Sequence, residues 1–367
     1  MPTPRVGIIG AGQLGRMLAL AAYPLGIECR FLDTRADAPG GQLAPIRVAA
    51  LDDSKALSAL ARDVDVVTFD IENVSVAALE SLESIAPVRP GPTIVGLAQD
   101  RLAEKRLFAS LNIPTAPYVA IDSAADLDRA RTTLGLPIVL KTRRLGYDGR
   151  GQRIVSSPTE LADAWQALGE RPAIAEGLVA FEREVSLIAV RGSGRQLRFY
   201  PLTENRHRDG MLESSLAPFA DTAAQSQAEQ WMRALLEQHD YRGVLTIEFF
   251  LTASGLVANE IAPRVHNSGH WTIEGTECSQ FENHLRGILD LPLGSTAVRG
   301  IAAMRNLIGS VPPRERLLEI DGLHLHDYGK EPRPQRKVGH CTLLGRDHAS
   351  LADRLNALEK LLKTMQK

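Results

Sequence analysis

The stretch N-E-I-A-P-R-V-H-N-S-G-H-W, residues 259–271, crowds an acid, an arginine, two histidines, two asparagines and a tryptophan into one short run. It grows out of V-L-T-I-E-F-F-L from Val244, the turn A-S-G from Ala253 and L-V-A-N-E-I from Leu256. Two β-rich runs around a glycine-containing turn spell a hairpin. A three-residue turn centred on Ala253-Ser254-Gly255 sets Thr252 opposite Leu256, and therefore Glu248 opposite Glu260. Like charges opposed across strands are destabilising, and apolar neighbours on both strands limit relief by solvent. A divalent cation reverses the sign of that interaction, because carboxylate oxygens together with phosphate oxygens are what Mg²⁺ takes. A sheet face turned to water would also house the two acids, and the hairpin alone leaves both readings open. Asn259 and Arg264 suit phosphate and metal-bridged ligands. His266 and His270 have the i, i+4 spacing of a zinc pair, but Pro263 and Gly269 argue against the helix that such a pair needs.

Upstream of the hairpin, E-V-S-L-I-A-V-R from Glu184, a G-S-G turn and R-Q-L-R-F-Y-P predict another hairpin, and a helix is expected near 222–238. Residues 5–32 read strand, Gly-rich turn, helix, strand. D-V-V-T-F-D from Asp65 is the near-continuous apolar run of a parallel strand covered on both faces. Residues 76–86 read as a helix, and R-P-G-P-T from Arg89 closes this first α/β unit. A charged helix, Q-D-R-L-A-E-K-R-L-F, opens the next unit at Gln99. There P-I-V-L-K-T from Pro137 is a strand, 158–168 a helix and P-A-I-A-E-G-L-V from Pro172 a short strand. The last part, 299–367, holds short strands and a terminal helix with leucines at 351, 355, 358 and 362.

Three further motifs carry chemistry. G-A-G-Q-L-G, Gly10 to Gly15, lies between a strand and a helix, with Asp33 after the next strand; this is the dinucleotide fingerprint in context. Alone it points to a nicotinamide-dependent oxidoreductase, although the glycines show only that a phosphate or a backbone approaches the helix N-terminus. G-Y-D-G-R-G-Q, Gly146 to Gln152, joins two strands with three glycines whose N–H groups can wrap a phosphate. It lacks the G-K-[ST] ending of a P-loop, and an ordinary hairpin turn has the same composition. Lys141 stands at phosphate reach before it. P-L-T-E-N-R-H-R-D-G from Pro201 is a polar strip after a strong strand. Y-G-K-E-P-R-P-Q-R-K-V-G-H from Tyr328 gathers Lys330, Arg333, Arg336 and Lys337 on a backbone stiffened by proline, either a solvated surface or an anion pocket.

Composition narrows the class. At 367 residues the chain needs more than one core. A formal net charge of −2 provides no long-range field for nucleic acid. Cys29, Cys278 and Cys341 are scattered and odd in number, as in a reducing compartment. No apolar run approaches a membrane span, so a cytoplasmic enzyme or binding protein is expected.

Taken together and in order, G-A-G-Q-L-G-R-M, G-Y-D-G-R-G-Q, P-L-T-E-N and N-E-I-A-P-R-V-H-N-S-G-H-W resemble the ATP-grasp superfamily, and within it the N5-carboxyaminoimidazole ribonucleotide synthetases. The resemblance covers nearly the whole chain. It implies an α/β fold of ATP-grasp architecture: an N-terminal Rossmann-like (pre-ATP-grasp) domain over 1–98, a two-part α+β ATP-grasp domain over 99–180 (lid) and 181–298 (metal and ATP), and a small β-rich C-terminal domain over 299–367. It implies ATP, bicarbonate and 5-aminoimidazole ribonucleotide as substrates, Mg²⁺ (or Mn²⁺) as metal, and no nucleic acid or membrane partner. A cytoplasmic homodimer with a hand-off to the N5-carboxyaminoimidazole ribonucleotide mutase is part of the same expectation.

By matching motifs, Arg101 and Lys141 would touch the ATP phosphates, and Gly146, Tyr147, Asp148, Gly149, Arg150, Gly151 and Gln152 would close over them. Glu176, Gly177, Leu178 and Val179 would face adenine, Glu184 the ribose, and His207 and Asn259 further parts of ATP. Glu248 and Glu260 would hold the metal. Tyr147, Asp148, Arg150 and Arg264 would carry catalysis around bicarbonate and carboxyphosphate. Gly12, Gln13, Leu14, Asn267, Lys330, Arg336 and Lys337 would bind the ribonucleotide. One departure stands at T-F-D-I-E-N, where Asp70 replaces a more usual Glu and is given no substrate contact. A formate-dependent glycinamide ribonucleotide transformylase type, the oxidoreductase and a catalytically silent nucleotide sensor are the alternatives.

Overall fold

The computed structural model describes residues 3–146 and 149–365, so Tyr147 and Asp148 of the glycine loop lie outside the described residues. Three sheets organise the chain. The first is parallel, with β1 Arg5–Ile9, β2 Glu28–Asp33, β3 Ile46–Val48 and β4 Val66–Phe69 in the order β3-β2-β1-β4. All four residues of β4 are buried, which is why it reads as an unbroken apolar run. The second sheet is antiparallel, with β5 Tyr118–Ile121, β6 Ile138–Thr142, β7 Gln152–Val155 and β8 Ala173–Gly177 in the order β5-β8-β6-β7.

The third sheet contains β9 Arg183–Arg191, β10 Leu197–Phe199, β11 Thr203–Arg208, β12 Met211–Ala217, β13 Gly243–Thr252, β14 Gly255–Ala262, β15 Ile301–Ile308, β16 Leu323–Asp327 and β17 Lys337–Gly345. Its order is β14-β13-β9-β11-β12-β15-β17-β16, with β10 paired to β9. The C-terminal strands therefore continue the central sheet through the β12–β15 pairing.

The cores are distributed unequally. The helix Gln13–Ala22 and β1 share one apolar cluster with Ile188, Val190, Phe281 and Leu285 of the central region. A buried histidine pins the same boundary. Val244 N–H donates to His284 Nδ1 at 3.1 Å, which leaves the ring proton on Nε2 to face Thr68 Oγ1 at 2.9 Å. The helices Arg101–Ser110 and Thr222–Gln238 pack on the central sheet through Leu107, Phe108, Met232, Leu235 and Phe249. The second sheet, by contrast, buries apolar side chains such as Val119 and Leu140 against its own helices Ala125–Leu134 and Pro158–Ala167, through Leu127 and Leu161. It is a separately packed plate.

Candidate active site

The hairpin of β13 and β14 does place Glu248 opposite Glu260, but by a different route from that expected. Thr252 pairs with Gly255, so the turn holds two residues rather than three, and a ladder running from it would miss the acid pair by one position. A bulge between Glu248 and Phe249 on one strand, with Asn259 as the extra residue on the other, restores the register. The bulge also frees the Asn259 peptide to turn outward. Its carbonyl accepts from Lys105 Nζ at 3.0 Å, while its Oδ1 is buried with no hydrogen-bond partner among the described residues.

β14 is an edge strand, and the first turn of the helix Arg101–Ser110 covers that edge. Arg101, Glu104 and Lys105 are spaced i, i+3, i+4 and so share one face. Arg101 Nη1 donates to Glu260 Oε2 at 3.0 Å, Glu104 Oε1 accepts from Ile261 N–H at 2.6 Å, and Lys105 holds Asn259. Three successive residues of the strand are thus gripped by one helical turn. Burial first, and then the charge of Glu260, pushes the Glu104 carboxyl well up. The opposed pair splits in the same way: burial and Glu260 raise Glu248, while against burial Arg101, with Lys141 and Lys105, holds Glu260 down.

Lys141 ends β6 and donates to Glu176 Oε2 on β8 at 2.8 Å; Lys105 approaches Glu176 Oε1 at 3.5 Å. Burial alone would raise the Glu176 carboxyl, but the two lysines hold it below the ordinary range. The loop after β6 folds back so that β6 pairs with β7, Lys141 opposite Gln152. Gly149, at φ +74°, lies so close to Gly210 that an added Cβ would sit 2.9 Å from the Gly210 Cα. Across from it, His207 Nδ1 bonds Glu184 Oε2 at 2.8 Å. Burial would lower His207, but the Glu184 bond and the nearby charges of Glu248 and Glu260 raise it.

These groups converge on one cleft of about 530 Å³. Its walls include Gly12, Gln13, Leu14, Arg101, Lys141, Gly146, Gly149, Arg150, Gln152, Glu184, His207, Glu248, Asn259, Glu260, Arg264, Asn267 and Lys337. An adjoining hollow shares Gln13, Gly149, Arg150 and Lys337 and adds Lys330 and Arg336. Lys330 donates to Gln13 Oε1 and lies over the Tyr328 ring. Burial, and then the charge of Arg336, brings its amine down to about 8. Both amide atoms of Asn267 are buried without a partner among the described residues.

The remaining strand-end and loop residues, and the tryptophan that ends the run 259–271, sit apart from the cleft wall. Glu176 is buried behind Lys141, and Gly177, Leu178 and Val179 follow it out of β8, with Leu178 exposed. Gly151 turns the loop at φ +75° against Thr142. Trp271 is wholly buried, its Nε1 donating to Thr203 Oγ1 at 3.0 Å. Among the described residues no group of three or more His, Cys, Asp or Glu side chains forms a metal cage. Two carboxylates and the orphaned Asn259 oxygen do fit a hard cation that keeps its remaining positions for water and phosphate oxygens.

The dinucleotide fingerprint is answered differently. Asp70, only 2% exposed, fills the glycine turn: its Oδ2 accepts from Gly12 N–H at 2.6 Å and from Gly15 N–H at 3.2 Å. Asp33 Oδ2 takes the Ala11 N–H at 2.7 Å. The N–H groups that would cradle a pyrophosphate are consumed by the chain's own carboxylates, so the nicotinamide reading fails here. Asp70 is absent from the expected site residues, and Glu72, Glu104 and Lys105 escape the sequence reading altogether. Glu72 lines the cleft and pairs with Arg264. The D-I-E-N run and the i, i+3, i+4 charges of the helix are the signals that could have found them.

Comparison with known proteins places this geometry. Residues 3–99 match the ribonucleotide synthetase preATP-grasp domain, 106–281 the ATP-grasp domain, and 302–354 the phosphoribosylaminoimidazole carboxylase C-terminal domain. An N5-carboxyaminoimidazole ribonucleotide synthase of Pseudomonas aeruginosa is 48% identical over 98% of this chain and 99% of its own length. The crystal structure of N5-carboxyaminoimidazole ribonucleotide synthetase from Thermus thermophilus superposes with a TM-score of 0.93 at 50% identity, covering 97% of this chain and 98% of that one. That of the Aspergillus clavatus N5-carboxyaminoimidazole synthase, in complex with ADP and 5-aminoimidazole ribonucleotide, superposes at 0.90 with 31% identity, covering 98% and 99%.

Proposed function

Because the chain belongs to the N5-carboxyaminoimidazole ribonucleotide synthases of the ATP-grasp family, we propose that its cleft holds ATP over the β13–β14 hairpin and the ribonucleotide against Gly12–Leu14. The protein is an ATP-dependent ligase that carboxylates 5-aminoimidazole ribonucleotide to N5-carboxyaminoimidazole ribonucleotide in purine biosynthesis, with ADP and phosphate as the other products. The observation that carries the placement is the meeting, in one cleft, of Lys141 and the glycine loop with the Glu248–Glu260 pair on one side and the cations around Lys337 on the other.

Bicarbonate is a poor electrophile, and transfer of the ATP γ-phosphoryl group gives it a leaving group. Such transfer needs positioned charge more than covalent help. Arg101 and Lys141 face the phosphates, with Glu184 and His207 at the ribose and Glu176–Val179 beside adenine. Glu248, Glu260 and Asn259 would hold Mg²⁺, or Mn²⁺ in its place, which when bound neutralises charge on the phosphate oxygens. Arg150 and Arg264 border the bicarbonate, and Tyr147 and Asp148 complete that part of the loop by their place in the motif. Carboxyphosphate hydrolyses in water, so closure of Gly146–Gln152 against the Gly210 turn keeps solvent out while the amine attacks. Lys330, Arg336 and Lys337 take the ribonucleotide phosphate, and Asn267, with both amide atoms unspent, binds its neighbouring polar groups. The same reading makes the protein a cytoplasmic homodimer that passes its product to the mutase.

The test is ADP release with Mg-ATP, bicarbonate and 5-aminoimidazole ribonucleotide, each omitted in turn. Release that requires all three and is lost in Glu260→Ala is expected. Equal release with formate and glycinamide ribonucleotide would move the acceptor assignment elsewhere.

A further inference from the structure

A file of polar side chains runs beneath the cleft floor and ends at Glu248. Ser215 Oγ donates to Asn205 Oδ1 at 2.8 Å, Asn205 Nδ2 donates to Ser186 Oγ at 2.9 Å, and Ser186 Oγ donates to Ser268 Oγ at 2.8 Å. Ser268 Oγ then meets His266 Nδ1 at 2.8 Å, and His266 Nε2 lies 3.3 Å from Glu248 Oε1. Ser186, Asn205, Ser215 and Ser268 are all buried, so none of these groups can turn to solvent for a substitute partner.

Direction along the file is set by its chemistry. The Ser268 backbone N–H also points at His266 Nδ1, at 3.3 Å. Nδ1 is therefore an acceptor, and the ring proton sits on Nε2, facing Glu248. With the Ser186 hydroxyl donating to Ser268, the Ser268 hydroxyl is free to donate onward to Nδ1. The hydrogen bonds from Ser215 to His266 then all point the same way, and bonds polarised in one sense strengthen each other; beyond them the His266 Nε2 stands 3.3 Å from the Glu248 carboxylate. The arrangement also gives a role to residues of two motifs, since Asn205 closes P-L-T-E-N, and His266 and Ser268 belong to R-V-H-N-S-G-H.

We propose that Asn205, Ser186, Ser268 and His266 are positioning residues that aim Glu248 at the cation carried by the nucleotide. Glu260 has Arg101 to orient it, whereas the ion-pair neighbour of Glu248 is His266. His266 supplies that restraint by holding its Nε2 side against one carboxylate oxygen, at 3.3 Å, which leaves the other oxygen for the metal. Partners of this kind behind a metal ligand change metal affinity by about 10–100-fold when removed.

The inference rests on the ligase reading above, and the experiment separates the two. Binding of Mn²⁺ together with ADP to the intact protein is measured by calorimetry, with 5-aminoimidazole ribonucleotide binding measured separately. Ser268→Ala and Ser186→Ala are expected to weaken the Mn²⁺–ADP complex by about tenfold or more, with ribonucleotide affinity unchanged. Ser268→Thr, which keeps the hydroxyl, restores it. In the unsubstituted protein the ¹⁵N spectrum of the His266 ring is expected to show the proton on Nε2. Unchanged Mn²⁺–ADP affinity in folded alanine variants, an equal fall in ribonucleotide affinity, or a proton on Nδ1 would each overturn the proposal. Failure of the unsubstituted protein to bind Mn²⁺–ADP at all would instead overturn the ligase reading on which it stands.

Discussion

Glu248 and Glu260 face one another across β13 and β14 although the turn joining those strands is one residue too short to align them; the bulge at Asn259 makes up the difference. An opposed pair of carboxylates works against folding until a cation arrives. Glu248→Gln should therefore raise the melting temperature of the metal-free protein by a degree or two, from relief of about 0.5–1 kcal/mol of cross-strand repulsion. The same change should cut kcat by about a hundredfold or more. Calorimetric melting and ADP release, run on one preparation, check both halves.

Gly10 is held at φ +90°, and a Cβ there would stand 1.8 Å from Asp70 Oδ1. Gly10→Ala must expel Asp70 from the turn it fills. A loss of about 3 kcal/mol or more in urea unfolding is expected, from the strained backbone and the unpaired carboxylate together. The native protein should show no NADH binding in a fluorescence titration, because Gly12 and Gly15 already donate to Asp70.

Asp70 itself carries a pH signature. Burial, opposed by the Gly15 and Gly12 N–H groups, pushes its carboxyl up to about 6 from an ordinary 3.8. Between those values the folded chain holds a proton that the unfolded chain has released. The stabilisation from this proton is therefore complete below about pH 4 and is lost as pH rises through 6. Compared with Asp70→Asn, the unsubstituted protein should gain up to about 3 kcal/mol as pH falls from about 7 to about 4. Parallel urea titrations across that range would show it; a constant difference between the two proteins would refute it.

Lys105 is 1% exposed and reaches both Asn259 O and Glu176. Lys105→Met leaves a buried carboxylate with one cation instead of two. A loss of about 3 kcal/mol is expected, together with a higher KM for ATP and an unchanged KM for the ribonucleotide. Denaturant unfolding and initial rates at varied ATP decide it.

Much of the architecture is legible in the sequence because it rests on local pattern. The buried strand at Val66–Phe69, the helix Thr222–Gln238 and the antiparallel run flanking the glycine loop follow from apolar continuity, helical period and turn residues. What escapes depends on long-range placement. The turn at Gly10–Gly15 carries a dinucleotide fingerprint, and only the fold reveals that Asp70, far along the chain, lies in it. Glu104 and Lys105 look like the wet face of a charged helix until β14 is known to be the edge strand beneath them. The Glu248–Glu260 pairing follows even from a turn of the wrong length, since the bulge that corrects it leaves no sure mark in sequence. Tyr147 and Asp148 lie outside the described residues.

The self-contained core of the sheet β5–β8 has an evolutionary consequence. Because Val119, Leu140, Leu161 and their neighbours pack only with one another, that plate behaves as a cassette. Polar contacts tie it to the helix Arg101–Ser110, among them Lys105 at Glu176, Arg143 at Asp100 and the Arg101 N–H on the Arg143 carbonyl. Natural selection, or a designer, can therefore exchange or retune that plate without repacking the central sheet.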